Sequence, residues 1–399
     1  MKCITFGKID KKLLIPVVGG LITLSYKYIV KHNPKYQIAT QNPFLLNIYV
    51  ALGMILAIIP HLILKHRSKS SLNISNTPKE QSKLNIKLLV IDGDIFERRK
   101  CAKYRFILYS TIFDFSQTLL YTLFALNNSF NLWNFDILFF SIFSYLMLKT
   151  KFYRHQYVGM ISIIILGIGL NITEAYKEDA ENTSNLFEIS MIFISEICFC
   201  LTLVITKYNM EKNYCDPYEV CIWEGAIGFI LNLICLVAFN LSGLTINGDK
   251  YPDNIKDYFE NFDYNDFIVC FTVIIAMFFY NTSLFLTCNY FTPCHALIIF
   301  IIVDTRFYLR PSENAILNIL SFLILILIAL AFLIYIEIIE INICNISYNT
   351  KKNIEKRSRK ESSLDFIPII PSNEEEEDEK TDADDKTEIT LSLTIHKKN

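Results

Sequence analysis

CDPYEVCIWEGAIGFILNLICLVAF, residues 215–239, is an apolar run long enough to cross a bilayer, with one carboxylate, Glu224, about a turn inside it. A helix spans the hydrocarbon core with roughly 20 predominantly apolar residues. An acid at full depth costs about 2.5 kcal/mol or more. The run therefore reads as a transmembrane helix that keeps an expensive group for a reason. Two glycines, Gly225 and Gly228, follow the acid directly. Small residues let helices approach closely. Such a helix can hold a buried Glu against a neighbour.

The rest of the chain repeats the pattern. Of 399 residues 52% are hydrophobic, barely above the soluble average of about 45–50%, so clustering decides the class and not the fraction. Apolar stretches fall near 11–30, 43–65, 104–126, 129–149, 155–172, 187–208, 219–241, 265–288, 291–310 and 315–340. Each is a candidate span. The fourth and ninth are the weakest, one carrying Asp136 and the other interrupted by Pro293, Asp304 and Arg306. The fold class expected is all-α integral membrane, with about ten transmembrane helices. The basic, apolar N-terminus lacks a small-residue cleavage site and reads as an uncleaved first helix.

Five spans precede residue 175 and five follow residue 186, which gives the two halves opposite topology. That is the arrangement of inverted-repeat secondary transporters. Residues 1–12 form an N-terminal segment, 13–175 the first half with a polar loop at 66–100, and 186–342 the second half. The tail 343–399, with its SNEEEEDEK run, and much of the loop read as disordered. Basic residues crowd alternate connections: four Lys in 1–12, eight basic residues in 66–100, three in 149–154 and six in 351–360. The opposite connections are acidic, with one Lys against four acids in 173–186. The positive-inside rule then puts both termini in the cytosol. The sequon at Asn182 falls in a connection on the other side, where glycosylation is possible.

Ionisable residues mark the spans: Lys27, Asp114, Asp136, Glu196, Glu224, Asp304 and Arg306. Any one of them is as readily a structural hydrogen bond or a snorkelling residue as a functional group. Seven on six different spans make a polar pathway the better reading, because lipid-facing placement of all would be costly. Gly19 and Gly20 in the first span and Gly225 and Gly228 in the seventh are expected at helix contacts. The net charge of −2 gives no basic excess for nucleic acid. The 11 cysteines contain no C-x-x-C and the six His are isolated, so no metal or cofactor is expected. The G-x-S-G and G-x-G-D signatures of intramembrane proteases are absent, and an enzyme is not expected.

Several segments carry a resemblance. Pro217 precedes Glu224-Gly225-Ala226-Ile227-Gly228-Phe229 by seven residues, TLSYK occupies 23–27, and QNPFL opens the second span at Gln41. Asp114 and Thr118 form a D-x-x-x-T, RHQYVGM runs from Arg154, and LNILSFLIL from Leu317. In this order they resemble the drug/metabolite transporter superfamily (EamA-like), specifically the F-type branch of solute carrier family 35 and its chloroquine-resistance-transporter-like relatives. The resemblance implies nucleotide-sugar-transporter kinship, alternating access and endomembrane residence. It departs from the family in the fourth span, where FNLWNFDIL stands for Q-x-x-R-G, and in the ninth, where Asp304-Thr305-Arg306-Phe307 is one residue short of D-x-x-R-T. Replacing an Arg by the neighbourhood of Asp136 changes the sign of charge in a cavity.

The expected function is a secondary transporter for a small organic metabolite, nucleotide-sugar-like or cationic, with Lys27, Asp114, Thr118, Asp136, Glu196, Glu224, Asp304 and Arg306 as transport or gating candidates. The excess of acid would suit a cationic solute or coupling to protons. Expected partners are that solute, the lipid bilayer, protons and at most a second copy of the chain. The alternative is a non-transporting receptor or scaffold acting through the polar loop and acidic tail.

Overall fold

In the computed structural model, residues 4–6, 10–31, 43–74, 81–124, 133–177, 186–242, 262–308 and 314–341 are described, with short pieces at 245–246, 249–250, 260, 350 and 353–354. They are overwhelmingly helical. In chain order the helices are α1 (Leu14–Lys31), α2 (Pro43–Ile55), α3 (Ile58–Ile74), α4 (Gln81–Phe124), α5 (Trp133–Leu148) and α6 (Arg154–Lys177). Then come α7 (Leu186–Asn213), α8 (Pro217–Ser242), α9 (Tyr264–Tyr290), α10 (Leu297–Tyr308) and α11 (Ala315–Tyr335). Two small antiparallel ladders accompany them. One pairs Ile4–Phe6 with Ile339–Ile341, and the other pairs Thr245–Ile246 with Asp249–Lys250.

Local chemistry sets the helix ends. α2 and α8 begin on proline, which lacks the N–H that a first turn cannot use. At the start of α9, Asp263 and Asp266 each accept the other's backbone N–H, at 3.0 and 2.9 Å, a reciprocal capping box. Asn314 caps α11 by accepting from the Ile316 N–H at 3.0 Å. Between α2 and α3 the helix breaks at Leu56–Ala57, because Pro60 has no N–H to give and its ring clashes with the Leu56 carbonyl. The stretch 66–100, expected to be disordered over much of its length, is instead helical in α3 up to Ile74 and again from Gln81. Its Leu, Lys, Arg and Glu content favours helix once the chain has passed Pro78.

Six helical stretches are long and apolar enough to cross a membrane: Phe44–His66, Arg154–Thr173, Leu186–Asn213, Pro217–Leu241, Asp266–Tyr290 and Ala315–Tyr335. Two shorter apolar helices, Phe135–Leu148 and Pro293–Ile302, coincide with the two weakest expected spans. The apolar residues also point outward. On α6, Ile161, Ile165, Ile168 and Ile172 make an exposed stripe, and on α11 Ile319, Phe322, Leu323, Ile326 and Leu330 do the same. Water would not tolerate surfaces of this kind, whereas lipid tails match them. The protein is a multi-pass membrane protein.

The helices pack in a definite pattern. The closest pairs are α4 with α7, α6 with α11, and α2 with α8, followed by α1 with α9, α2 with α9, α1 with α10, and α5 with α7. Lesser contacts join α4 to α8, α5 to α6, α8 to α9 and α7 to α9. Glycine permits the closest of these. A Cβ on Gly225 of α8 would lie 2.7 Å from Met54 Cβ and 2.9 Å from the Ala51 carbonyl oxygen of α2. Gly19 and Gly20 of α1 abut Ser283 of α9 and Ile302 of α10, while Gly228 faces open space.

Candidate functional site

Five residues of α4 stand on one helical face: Asp114, Gln117, Thr118, Tyr121 and Thr122, at the i, i+3, i+4, i+7, i+8 spacing. They form one side of a cavity of about 370 Å³ inside the bundle. Asp136 enters from α5, and Glu196, Phe199 and Thr202 from α7. Opposite stand Met277, Tyr280, Asn281, Leu284 and Phe285 of α9, at the same helical spacing, together with Thr23 of α1 and Phe300 of α10. Asn47, Val50 and Met54 of α2, with Leu203 of α7, complete the lining. The volume falls within the range of about 300–1,000 Å³ typical of small-molecule sites.

Three expected carboxylates thus converge on one space. Asp136 is 1% exposed, and Asp114 and Glu196 are half-buried. Among the described lining residues there is no Lys, Arg or His. Thr118 lines the same cavity. Hydrogen bonds hold the wall together from outside: Ser195 donates to the Gln117 carbonyl at 3.1 Å, tying α7 to α4, and the Cys200 thiol approaches the Asp136 carbonyl at 3.7 Å, tying α7 to α5. Across the space, Phe199 meets Phe300 edge to face at 5.2 Å between centroids, and Tyr280 meets Phe300 at 6.3 Å.

Glu224 does not line the cavity. It is 1% exposed on α8, and its Oε1 accepts a hydrogen bond from the Thr206 hydroxyl of α7 at 3.3 Å. The Ser110 hydroxyl of α4 also interacts with the Glu224 carboxylate, and Asp114 is close enough to act on it electrostatically. Glu224 therefore sits just behind the acidic side of the cavity, next to the α2–α8 seam that Gly225 makes possible. The backbones of Lys27, Asp304 and Arg306 belong to α1 and α10, but their side chains lie outside the described residues, as does Asn182.

Ionic contacts gather at one end of the bundle. His61 Nδ1 of α3 lies 2.7 Å from Asp216 Oδ2, and Lys103 of α4 pairs with Glu219 in the first turn of α8. Lys207 near the end of α7 donates to the Asn289 carbonyl at 3.0 Å and faces Glu211 at 3.2 Å. Asn209 donates to the Lys103 carbonyl at 3.2 Å. At the same end of the helices, His155 Nε2 of α6 meets Glu337 Oε1 beyond α11 at 2.9 Å. Burial pushes the Cys215 thiol, which lies in this layer, up to about 12.

Sequence reasoning missed the uncharged lining: Asn47, Gln117, Tyr280, Asn281 and Phe300. Their signal was present in part, because 114–122 and 277–285 each repeat polar or aromatic residues at helical spacing. Among the described residues no group of His, Cys, Asp and Glu has the arrangement of a metal site. No protein-family model matches the chain, and no curated protein matches it.

Proposed function

We propose that the protein is a secondary transporter that moves a small organic solute by alternating access. The observation that carries this reading is the cavity: a half-open space of ligand size, walled by helices from both halves of the chain and holding three carboxylates. Ionisable residues inside a membrane bundle mark pathways, relays or counter-charges. Sites at the interface of two repeats are the common solution in secondary transporters.

The packing pattern supports a ten-span, inverted-repeat reading. Exchange the halves, so that α1 stands for α7, α2–α3 for α8, α4 for α9, α5 for α10 and α6 for α11. The contact of α4 with α7 then becomes α9 with α1, α5 with α7 becomes α10 with α1, and α4 with α8 becomes α9 with α2. The α2–α8 and α6–α11 contacts map onto themselves. The α7–α9 contact has no comparably close counterpart. Two halves of opposite topology, each with five spans, would pack in this way. The similarity of the Pro217–Phe229, TLSYK and QNPFL segments to the drug/metabolite transporter superfamily points to the same architecture.

The pairing of Ile4–Phe6 with Ile339–Ile341 brings the chain before α1 and the chain after α11 to one face, which supports an even number of spans. With the basic connections on that face, both termini lie in the cytosol, and residence in an endomembrane follows from the resemblance. Glu224 holds the α7–α8 contact through Thr206 and acts as a structural gate beside Asp114.

Uptake of a pooled metabolite library into proteoliposomes of the full chain, with and without a proton gradient, tests the proposal. Gradient-dependent accumulation of one solute class is the expected outcome. No uptake by protein shown to be folded would favour a receptor or scaffold. Unchanged uptake and gradient dependence in Glu224→Gln would remove that residue from the mechanism.

A further inference from the structure

We infer that the ionic contacts at one end of the bundle are a closed cytosolic gate, and that the cavity in this conformation opens toward the opposite end; the inference deepens the transporter reading and rests on it. The first observation is how far the lining reaches along each helix. At one end it runs to the helix termini. Asp136 lies in the first turn of α5, Asn47 within about two turns of the start of α2, and Thr122 in the last turn of α4. At the other end it stops short. Lys103 lies about three turns beyond Asp114 on α4, and Lys207 about one turn beyond Leu203 on α7. Asn289 likewise lies about one turn beyond Phe285 on α9. Asn209 meets Lys103 while Ser195 meets Gln117, so α4 and α7 run antiparallel and the ionic residues of both fall at one level.

The second observation is what these contacts join. Lys207, buried on α7, donates across to the Asn289 carbonyl of α9 at 3.0 Å, so it links the two walls one turn beneath the lining. Farther out, Lys103 of α4 pairs with Glu219 of α8, and His61 of α3 lies 2.7 Å from Asp216 just ahead of α8. Both pairs tie the first half of the chain to the second. Lys12, in the turn before α1, stands 4.4 Å from the ring centroid of Tyr290 at the end of α9. The strand Ile4–Phe6 pairs with Ile339–Ile341 beyond α11. The contacts at this end therefore cross between the parts that alternating access has to separate.

Contacts of this kind can part and re-form. Ion pairs near a surface contribute little net stability, because water takes back the charges when they separate. The glycine seams are different. A Cβ on Gly225 would meet Met54 and the Ala51 carbonyl, one on Gly159 would meet Tyr335 and the Ala331 carbonyl, and one on Gly53 would meet the Ile274 carbonyl, each within 3.0 Å. Backbone packed this closely has no side chain to swing away, and packed elements hold discrete arrangements. The α2–α8 and α6–α11 seams are thus the fixed contacts about which the halves rock, and the ionic layer is the part that opens.

Sealed endomembrane vesicles from cells expressing the full chain, with their cytosolic face outward, test this with a membrane-impermeant maleimide and mass spectrometry of each cysteine. Thr118→Cys places a thiol on the lining. It should label at least tenfold faster when the vesicles are freeze–thawed with the reagent present than while they stay sealed. Cys101, exposed on α4 beyond the gate, should label in sealed vesicles. Adding Lys103→Glu, which sets two acids against each other, should speed labelling of position 118 in sealed vesicles at least fivefold. Adding Glu219→Lys as well restores the pair with its signs exchanged and should bring the slow rate back, a rescue that misfolding would not give. Fast labelling of position 118 in sealed vesicles with the gate residues intact, or no response to Lys103→Glu, would overturn the inference. Protection of Cys101 in sealed vesicles would overturn it too, by placing the layer on the lumenal side. A gate that responds as expected in protein that accumulates no solute in proteoliposomes would overturn transport and leave the closure standing. Solute uptake with no response to the charge changes would do the reverse.

Discussion

The two walls of the cavity are alike in packing and unlike in chemistry. α4, α5 and α7 form one layer, with α7 packed on both of the others. α1, α9 and α10 form the second, with α1 packed on both of its neighbours. Exchanging the halves turns one layer into the other. Yet the described residues of the first contribute three carboxylates and those of the second contribute none, offering Tyr280, Asn281, Phe285 and Phe300 instead. Packing needs only shape and small residues at the contacts, so two layers can pack alike while their linings differ. The proposed transport reading puts solute selectivity in that asymmetry.

The largest expected effect comes from the seam that both walls lean on. Gly225→Leu would drive a side chain into Met54 and the Ala51 carbonyl of α2, where even a Cβ has no room. Overpacking of this kind costs about 1–3 kcal/mol or more, and backbone cannot yield as a side-chain tip can. Size-exclusion chromatography of detergent extracts should show loss of the monodisperse species. Gly228→Ala, with nothing within 4 Å, should leave it unchanged. Equal behaviour of the two variants would mean that α2 and α8 do not meet as described.

Next in size is the charge asymmetry itself. Asp136→Asn removes a buried carboxyl from one wall, and Asn281→Asp adds one to the other. The first should weaken solute uptake into proteoliposomes at least tenfold, about 1.4 kcal/mol. The second should weaken it less if the carboxyl side of the cavity matters more to the solute than the α9 side. Equal losses in the two variants would mean that the walls contribute alike.

Much of this layout was legible before any coordinates. Outward isoleucines on α6 and the apolar run of α11 are what long hydropathic stretches predict, and Asp114 with Thr118 already marked a polar helical face. Asn281 and Phe300 were not legible as partners of Asp136 and Glu196, because contacts across a bundle join positions that no local spacing relates. Glu224 was read as a buried anchor beside small residues. Its hydrogen-bond partner, Thr206, belongs to a different helix and an uncharged residue type, which no charge pattern singles out. The polar stretch 66–100 misled for a different reason. Its charge argued for solvation, and solvation was taken for disorder, although Leu, Lys and Glu are strong helix formers whether or not they are buried.

A smaller effect concerns the aromatic wall. Phe300→Ala deletes a ring that touches both Phe199 and Tyr280. Aromatic pairs contribute about 0.5–1.5 kcal/mol beyond burial, so the melting temperature in detergent should fall by roughly 1–5 °C. An unchanged melting temperature would mean that the three rings do not pack as described.

The smallest perturbation changes no residue and asks whether the two walls move. Cys215 lies in the ionic layer at one end of the bundle, 4% exposed, and burial pushes its thiol up to about 12. Cys101, on α4 in the same region, is exposed. The thiolate is the reactive form, and at neutral pH a thiol raised this far has roughly a thousandfold less of it than an ordinary cysteine. Maleimide treatment of the full chain, read by mass spectrometry of each cysteine, should therefore label Cys101 and spare Cys215. Raising the pH toward the upper limit of protein stability should bring Cys215 in only slightly, since its folded value remains above that range. If a solute that the proteoliposomes accumulate speeds labelling of Cys215 while Cys101 stays constant, that solute opens the end held by His61–Asp216 and Lys103–Glu219. The acidic wall then shifts with α8. Labelling of Cys215 that is fast without ligand would mean that this end is already open, and that the ion pairs there do not close it.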